Sequence, residues 1–172
     1  MNKLIIVTLA LALNTSAQAL IGACFTPGDD CTGLLVKIIN RTQTSVKVQA
    51  YSFTSKPIIN ALIAAHRRGV DVKIILDKSQ YLGTGYSAVV QAGIPVWIDL
   101  KPVIAHNKVM IFEDEAVETG SFNYSEAAQT KNAENYIATD EIKIVNAYIS
   151  NWKKRLHASV TSDAYAIMRG NK

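Results

Sequence analysis

The sequence has few of the residues that build metal centres. Its 172 residues include only two cysteines and three histidines, and no histidine stands at ligand spacing with the cysteines. Zinc sites of the cysteine and histidine type are therefore not expected, and we expect no metal or other cofactor. Long apolar runs are also scarce. The run at residues 4–13, interrupted only by Thr8, is too short to cross a bilayer, and we expect no stable membrane association.

Composition sets broad limits on the class of protein. Hydrophobic residues make up 49% of the chain, which is enough to bury a core, and the length suits one domain. The formal net charge of +4 is only mildly basic. It is compatible with a polyanionic substrate without requiring one. We find no internal repeat, low-complexity block or domain linker.

The N-terminus predicts export from the cytoplasm. Lys3 precedes the apolar run, and Ala17-Gln18-Ala19 follows it as a small-x-small cleavage site, as in secretory signal peptides. We therefore expect residues 1–19 to be a signal peptide and the mature chain to be periplasmic or secreted. Two alternatives remain open. One is an uncleaved interfacial anchor, and the other is a lipoprotein signal ending at Cys24, although ten residues separate that cysteine from the apolar run.

The two cysteines form a separate pattern. Cys24 and Cys31 lie seven positions apart, on either side of Pro27-Gly28-Asp29-Asp30. In an exported protein this spacing predicts a small disulfide loop closed by a turn, and the alternative is two free thiols. We expect Asp29 and Asp30 to shape the turn or cap the next helix rather than to bind calcium.

Segments with helical periodicity alternate with segments typical of strands. Helices are expected at 32–41, 57–68, 86–92, 124–130 and 141–156, and strands at 46–53, 70–77, 94–98, 108–112, 116–119 and 135–139. This order predicts an α/β fold with a mixed β-sheet flanked by helices on both faces. Residues 20–157 would form the single domain and residues 158–172 a weakly specified C-terminal tail. Gly83-Thr84-Gly85 lacks the lysine of a P-loop and is expected to be a plain loop.

The most informative segment is His106-Asn107-Lys108. Side chains at positions i and i+2 of a strand point to the same face, so His106 and Lys108 can face one ligand. A phosphate ester suits this pair, because lysine neutralises its charge and an imidazole can attack phosphorus or transfer a proton.

Three further polar residues can complete a phosphate site. Ser121 and Asn123 follow Gly120 just before a predicted helix, where their donors and the backbone N–H groups favour an anion. Glu134 precedes the next strand and can accept a hydrogen bond from the imidazole, which would fix its tautomer. Each has an ordinary alternative as a capping or surface residue. Their joint occurrence favours the functional interpretation.

The string His106-x-Lys108, with an acid at Glu113 and then Gly120-Ser121-x-Asn123, resembles the HKD signature of the phospholipase D superfamily. It resembles most the small, secreted, single-motif bacterial endonucleases of that superfamily, and the likeness extends to residues 48–54, 66–72 and 131–135. The resemblance implies a phospholipase D/nuclease-like fold and metal-independent hydrolysis of nucleic acid, DNA or RNA, through a phosphohistidine. Glu113 replaces an aspartate that supports the fold around the site in the family, and Asp114 is adjacent to it.

The resemblance also implies a two-fold dimer. Histidine-based phosphodiester cleavage needs one imidazole to attack phosphorus and another to protonate the leaving oxygen and then activate water. The chain holds one copy of the motif, because neither His66 nor His157 repeats it. A homodimer would supply the second His106.

Other residues receive weaker predictions. Basic side chains that could contact a nucleic-acid backbone are Arg67, Arg68, Lys73, Lys78 and Lys101. Tyr81 and Tyr86 could stack on bases, although packing is the more usual role, as it is for Trp97 and Trp152. The rival functions are a phospholipase, a non-catalytic nucleic-acid-binding module in which Glu113 marks a decayed site, and a purely structural exported protein.

Overall fold

Eight β-strands form one mixed sheet in the computed structural model, which describes residues 22–170. They are β1 (Gly22–Thr26), β2 (Ser45–Ala50), β3 (Asp71–Asp77), β4 (Val96–Asp99), β5 (Lys108–Phe112), β6 (Ala116–Gly120), β7 (Glu134–Thr139) and β8 (Val160–Thr161). Their order across the sheet is β1-β7-β6-β5-β2-β3-β4-β8. Strands β2, β3 and β4 run parallel to one another and the other pairings are antiparallel. The predicted signal peptide, residues 1–19, lies outside the described residues.

Helices cover both faces of this sheet, as predicted. The described residues form α1 (Cys31–Arg41), α2 (Lys56–Arg67), α3 (Thr84–Gln91), α4 (Glu126–Thr130), α5 (Ile142–Ala158) and α6 (Ser162–Gly170). Strand β5 shows the two faces by its alternation. Met110 and Phe112 join the larger core beneath α1, α2 and α3, whereas Val109 and Ile111 pack with Trp152 of α5. The mixed α/β sheet of one domain is therefore confirmed.

A disulfide between Cys24 and Cys31 joins β1 to the start of α1, which confirms the predicted pairing. The loop between them is shaped by its two acids. Asp30 caps α1 by accepting a hydrogen bond from the Gly33 N–H at 2.8 Å, and Asp29 accepts one from the Phe25 N–H at 2.9 Å. Both aspartates therefore have the local structural roles expected of them.

The structure corrects the sequence analysis in three segments. Residues 158–172 are not a weakly specified tail, because their described part forms β8 and α6, and Tyr165 packs against the larger core. Strand β1 was not expected at all. The expected loop at Gly83-Thr84-Gly85 already contains the first turn of α3. A Cβ atom at Gly85 would lie 2.0 Å from the Phe53 carbonyl oxygen, so this glycine allows the helix to pack closely.

Candidate active site

The residues singled out by the motif lie along one edge of the sheet. Strands β2, β3 and β4 end at this edge, and β5 begins there because it runs antiparallel to β2. Strand β6 returns to it and β7 starts from it. We call it the carboxyl edge. The residues placed there are His106, Lys108, Ser121, Asn123 and Glu134.

Lys108 and His106 are in direct contact. The Lys108 Nζ lies 3.1 Å from both ring nitrogens of His106 and donates to the His106 carbonyl oxygen at 2.8 Å. A position equidistant from Nδ1 and Nε2 lies over the imidazole ring rather than at its edge. The Tyr51 ring packs 4.4 Å from the imidazole, with the lysine 5.2 Å from its centroid. The pair thus forms one cluster in which the imidazole is exposed and Lys108 is buried.

Burial changes the acidity of this lysine. Removal from water lowers the pKa of Lys108, and the negative charge of Glu134 opposes that effect. The cation is desolvated next to an accessible imidazole, so its attraction for an anion is less screened than that of a surface lysine. An arrangement of this kind suits a phosphate group that contacts His106.

The turn after β6 is fixed by backbone contacts to β7. The N–H groups of Ser121 and Phe122 donate to the Asn135 carbonyl at 2.9 and 3.1 Å, and the Asn135 N–H donates to Ser121 Oγ at 3.1 Å. At Gly120 a Cβ atom would lie 2.2 Å from the same carbonyl, so only glycine fits. Ser121 is exposed at this turn, and Asn123 is half-buried.

The side-chain amide of Asn123 has an acceptor without a hydrogen bond among the described residues. Its Oδ1 atom is buried and has no hydrogen-bond partner among the described residues. Ser125 is the cap of α4 and accepts from the Ala128 N–H at 3.2 Å. The capping role therefore belongs to Ser125, and Asn123 remains available for other contacts.

Glu134 lies near the lysine rather than in contact with the imidazole. Its Oε1 accepts from the Asn132 side chain at 2.9 Å, and its charge acts on Lys108. Within residues 22–170 no hydrogen bond joins it to His106, whose ring contacts Lys108 and Tyr51. The proposed hydrogen bond between Glu134 and the imidazole therefore stays a prediction.

Glu113 lies at the opposite end of β5 from Lys108. Its Oε1 accepts from the backbone N–H groups of Gln43 and Thr44 at 2.7 and 3.0 Å, which ties the loop before β2 to the turn after β5. The neighbouring Asp114 pairs with Lys47 at 2.6 Å. These contacts join neighbouring segments of the fold, and the role of Glu113 as the supporting acid of the motif stays a prediction.

Two buried aspartates at the carboxyl edge were missed by the sequence analysis. Asp77 ends β3 and Asp99 ends β4, and they are partners in the sheet register. Asp99 forms an ion pair with Arg155 of α5. Asp77 accepts hydrogen bonds from the N–H groups of Ser79 and Ala105, at 2.8 and 2.7 Å. Burial raises the pKa of Asp77, but these backbone donors outweigh burial and the pKa is lowered.

A third buried acid lies on β6. Glu118 is fully buried and accepts a hydrogen bond from the Tyr124 hydroxyl at 2.7 Å. Burial raises the pKa of Glu118 to about 8. The Tyr124 carbonyl accepts from the N–H groups of Thr54 and Ser55, so this tyrosine connects β6 with the segment after β2. The pair supports the turn that holds Ser121 and Asn123 from within the core.

Some of the basic residues predicted to contact a nucleic-acid backbone have contacts within the fold, and others are exposed beside the site. Arg68 donates to the carbonyls of Ile39, Asn40 and Thr42 at the end of α1, which is a structural role. Lys73 pairs with Asp71 at the edge opposite the site. Lys78 and Lys101 are exposed beside the ends of β3 and β4, at the carboxyl edge.

The aromatic residues mainly pack. Tyr81 lies between Tyr86 and Tyr165, with ring centroids 5.1 and 4.8 Å away. Trp152 is buried and donates to the Val48 carbonyl at 3.2 Å, and Trp97 packs beside it. Core packing therefore accounts for the residues in this group.

Residues 22–170 contain neither a candidate metal site nor a candidate membrane span. No group of three or more histidine, cysteine, aspartate or glutamate side chains in this part of the chain could hold a metal ion. None of its helices combines the length and apolar character needed to cross a membrane.

The chain is similar in sequence to a known family and to named proteins. The family described as "Cardiolipin synthase, PLD-like domain" matches residues 35–156. The chain is 40% identical over 147 residues to a "Phospholipase D" of Rickettsia prowazekii, covering 84% of this chain and 71% of that protein. It is 31% identical over 123 residues to a "Mitochondrial cardiolipin hydrolase" of Xenopus laevis, covering 70% of this chain and 58% of that protein.

Solved structures resemble the fold over most of the chain. Nuc from Salmonella typhimurium, described as a phospholipase D family member, matches with a TM-score of 0.77 and 34% identity, covering 84% of this chain and 98% of that one. NucT from Helicobacter pylori matches with a TM-score of 0.75 and 26% identity, covering 84% and 99%. The chain therefore belongs to the phospholipase D superfamily and is a hydrolase of phosphodiester bonds.

Proposed function

We propose that the protein is a metal-independent endonuclease that hydrolyses DNA or RNA with little sequence preference. The observation that carries the proposal is the contact between buried Lys108 and exposed His106 at the carboxyl edge, beside the turn of Ser121 and Asn123. Lysine, serine and asparagine donors suit phosphate oxygens, and contacts to phosphate carry no sequence information.

In the proposed reaction each of these groups has one role. A nitrogen of the His106 imidazole attacks phosphorus and forms a phosphoramidate bond, while the bond from phosphorus to the leaving oxygen breaks. A second imidazole gives a proton to that oxygen and then removes one from the attacking water. Lys108, Ser121 and Asn123 stabilise the negative charge that develops on the phosphoryl oxygens, and water releases the phosphate from His106.

The second imidazole is proposed to come from another copy of the chain. His66 lies on α2 and His157 near the end of α5, and neither carries a following lysine at the motif spacing. Apolar surface next to His106 supports an interface there, since Val103 is 86% exposed and Ile104 is 52% exposed. A two-fold dimer at this surface would bring two His106 side chains to one phosphate.

We propose nucleic acid rather than lipid as the substrate. The likeness to Nuc and NucT covers nearly the whole of both chains, and exposed Lys78 and Lys101 lie beside the site for backbone contacts. A lipid phosphodiester is the second candidate. Relatives named phospholipase D and cardiolipin hydrolase favour it, and Val103 and Ile104 offer an apolar surface near His106.

Export is proposed as the setting for this activity. The disulfide between Cys24 and Cys31 suits an oxidising compartment, and the sequence before it has the pattern of a signal peptide. A nuclease in the periplasm or outside the cell would meet foreign nucleic acid.

The test uses one oxidised protein preparation with two substrates in excess EDTA. We expect the wild type to nick a supercoiled plasmid, His106→Ala to be inactive, and His157→Ala to match the wild type. His157 is the control because it is exposed on α5. Hydrolysis of phospholipid vesicles without plasmid cleavage would favour the lipid candidate. Activity retained by His106→Ala would contradict the proposed mechanism for either substrate.

A further inference from the structure

The segment that carries His106 has little structure of its own. Residues 100–107 connect β4 with β5 and contain neither helix nor strand, and Val103 in the middle is 86% exposed. Catalysis by an imidazole nonetheless requires it to be held within a fraction of an ångström of its attack geometry. Contacts with the rest of the fold must therefore hold this segment in place.

Two hydrogen bonds fix the backbone on either side of His106. The Tyr51 N–H donates to the Asn107 carbonyl at 3.1 Å, which extends the pairing of β2 with β5 by one residue. On the other side, the Ala105 N–H donates to Asp77 Oδ2 at 2.7 Å. The first is an ordinary continuation of the sheet, whereas the second depends on one side chain from a strand two places away.

Asp77 is itself firmly held. The residue is 3% exposed at the end of β3, and its other carboxylate oxygen, Oδ1, accepts from the Ser79 N–H at 2.8 Å. Each carboxylate oxygen thus accepts one backbone N–H, an arrangement that needs acceptors on both atoms. No step of the proposed reaction uses this buried charge.

We propose that Asp77 is a positioning residue that holds the backbone before His106 so that the imidazole faces the phosphate. The inference rests on the proposed function, because His106 is the group it positions. Asp77 acts through the Ala105 N–H and does not touch substrate. Displacement of a reacting group by about 1 Å can lower a rate by about 100-fold, so loss of this contact should reduce turnover more than substrate binding.

The test compares Asp77→Asn with Asp71→Asn. Asparagine keeps the shape but places an NH₂ group against one of the two N–H donors, so one hydrogen bond is lost. Asp71 is the matched control because it lies at the opposite end of the same strand and is exposed. Steady-state cleavage of a fluorescent oligonucleotide should show kcat lowered about 10- to 100-fold in Asp77→Asn with KM within about twofold. Asp71→Asn should match the wild type.

A second variant separates positioning from folding. In Asp77→Ser the hydroxyl can still cap the Ser79 N–H, but it is too short to reach Ala105. The same selective loss of kcat is expected at a temperature well below the thermal midpoint, which should itself fall slightly because the Ala105 N–H loses its acceptor. A kcat within about twofold of the Asp71→Asn control in either folded variant would overturn the proposal. So would a result in which kcat falls and KM rises by similar factors in Asp77→Ser, because that pattern indicates general damage to the site rather than displacement of His106.

Nuclear magnetic resonance tests the role of Asp77 without relying on nuclease activity. The ring protons of His106 should broaden or shift in Asp77→Ser, while those of His66 and His157 stay unchanged. If the wild type cleaves no oligonucleotide, the nuclease proposal fails and this spectrum still decides the role of Asp77. An unchanged His106 signal would overturn that role.

Discussion

Glu118 gives a stability prediction that can be worked from the structure. This carboxyl is fully buried, its Oε2 accepts from Tyr124, and its Oε1 has no partner among the described residues. Desolvation raises its pKa to about 8 from an ordinary value of 4.5. The folded protein therefore holds the proton more tightly than the unfolded chain does. The resulting stabilisation is complete below the unfolded pKa and is lost as pH rises through the folded one.

The magnitude follows from the two pKa values. One unit of pKa difference corresponds to about 1.4 kcal/mol, so the full difference between the folded and unfolded pKa values of Glu118 corresponds to about 5 kcal/mol. Between about pH 5 and pH 9 this stabilisation should fall by about 4 kcal/mol. The fall is smaller than the full amount because the unfolded pKa of 4.5 lies below pH 5, so part of the loss has occurred by then. In Glu118→Gln the side chain is neutral at every pH. The unfolding free energy of the wild type should therefore fall relative to the variant by this amount.

Urea denaturation followed by tryptophan fluorescence measures the difference. The two tryptophans, Trp97 and Trp152, both pack against the α5 face of the sheet, so the signal reports the fold. Glu115→Gln is the control because Glu115 is exposed in the turn before β6. The reasoning would be refuted if the unfolding free energies of the wild type and Glu118→Gln differed by an amount that stays constant to within about 1 kcal/mol between about pH 5 and pH 9. Glu118 would then be ionised in the folded protein.

Three further predictions address the site and its support. Lys108→Ala should reduce plasmid cleavage by about 100-fold or more, since a buried cation beside the phosphate is lost; Lys47→Ala, at the opposite edge, should retain full activity in the same assay. Glu113→Asp should leave cleavage within about twofold but lower the unfolding free energy by about 1 kcal/mol in urea, because the shorter chain loses a hydrogen bond. Reduction of the disulfide between Cys24 and Cys31 should lower the unfolding free energy by about 2 to 3 kcal/mol, from the loop-closure entropy of a short loop. Equal stability of the reduced and oxidised proteins would contradict this.

The parts of the structure that could be predicted from the sequence are local. Strand β5 was predicted to the residue because the apolar run at residues 109–112 follows Lys108 and ends at the acidic turn of residues 113–115. The disulfide followed from the spacing of Cys24 and Cys31. His106 and Lys108 were grouped on the expectation that both lie on a strand; the structure brings them into contact, although His106 precedes β5. In these cases the signal lies within a few residues.

The parts that were missed depend on distant partners. Strand β1, Gly-Ala-Cys-Phe-Thr, has weak strand propensity and forms because it pairs with β7, more than a hundred residues away. Helix α6 is held by the packing of Tyr165 on Tyr81. Asp77 ends an apolar strand and Glu118 lies within one, and nothing in the local sequence identifies Ala105 or Tyr124 as the groups that donate hydrogen bonds to them.

The most direct test of the account is detection of the covalent intermediate. Oxidised protein would be mixed with a short oligonucleotide in excess EDTA, quenched with alkaline denaturant because phosphohistidine is labile to acid, and analysed by intact mass and peptide mapping. We predict a transient adduct with the mass of the nucleotide fragment on the peptide that contains His106, and its absence in His106→Ala. Cleavage with no adduct, or with an adduct on another residue, would contradict the account.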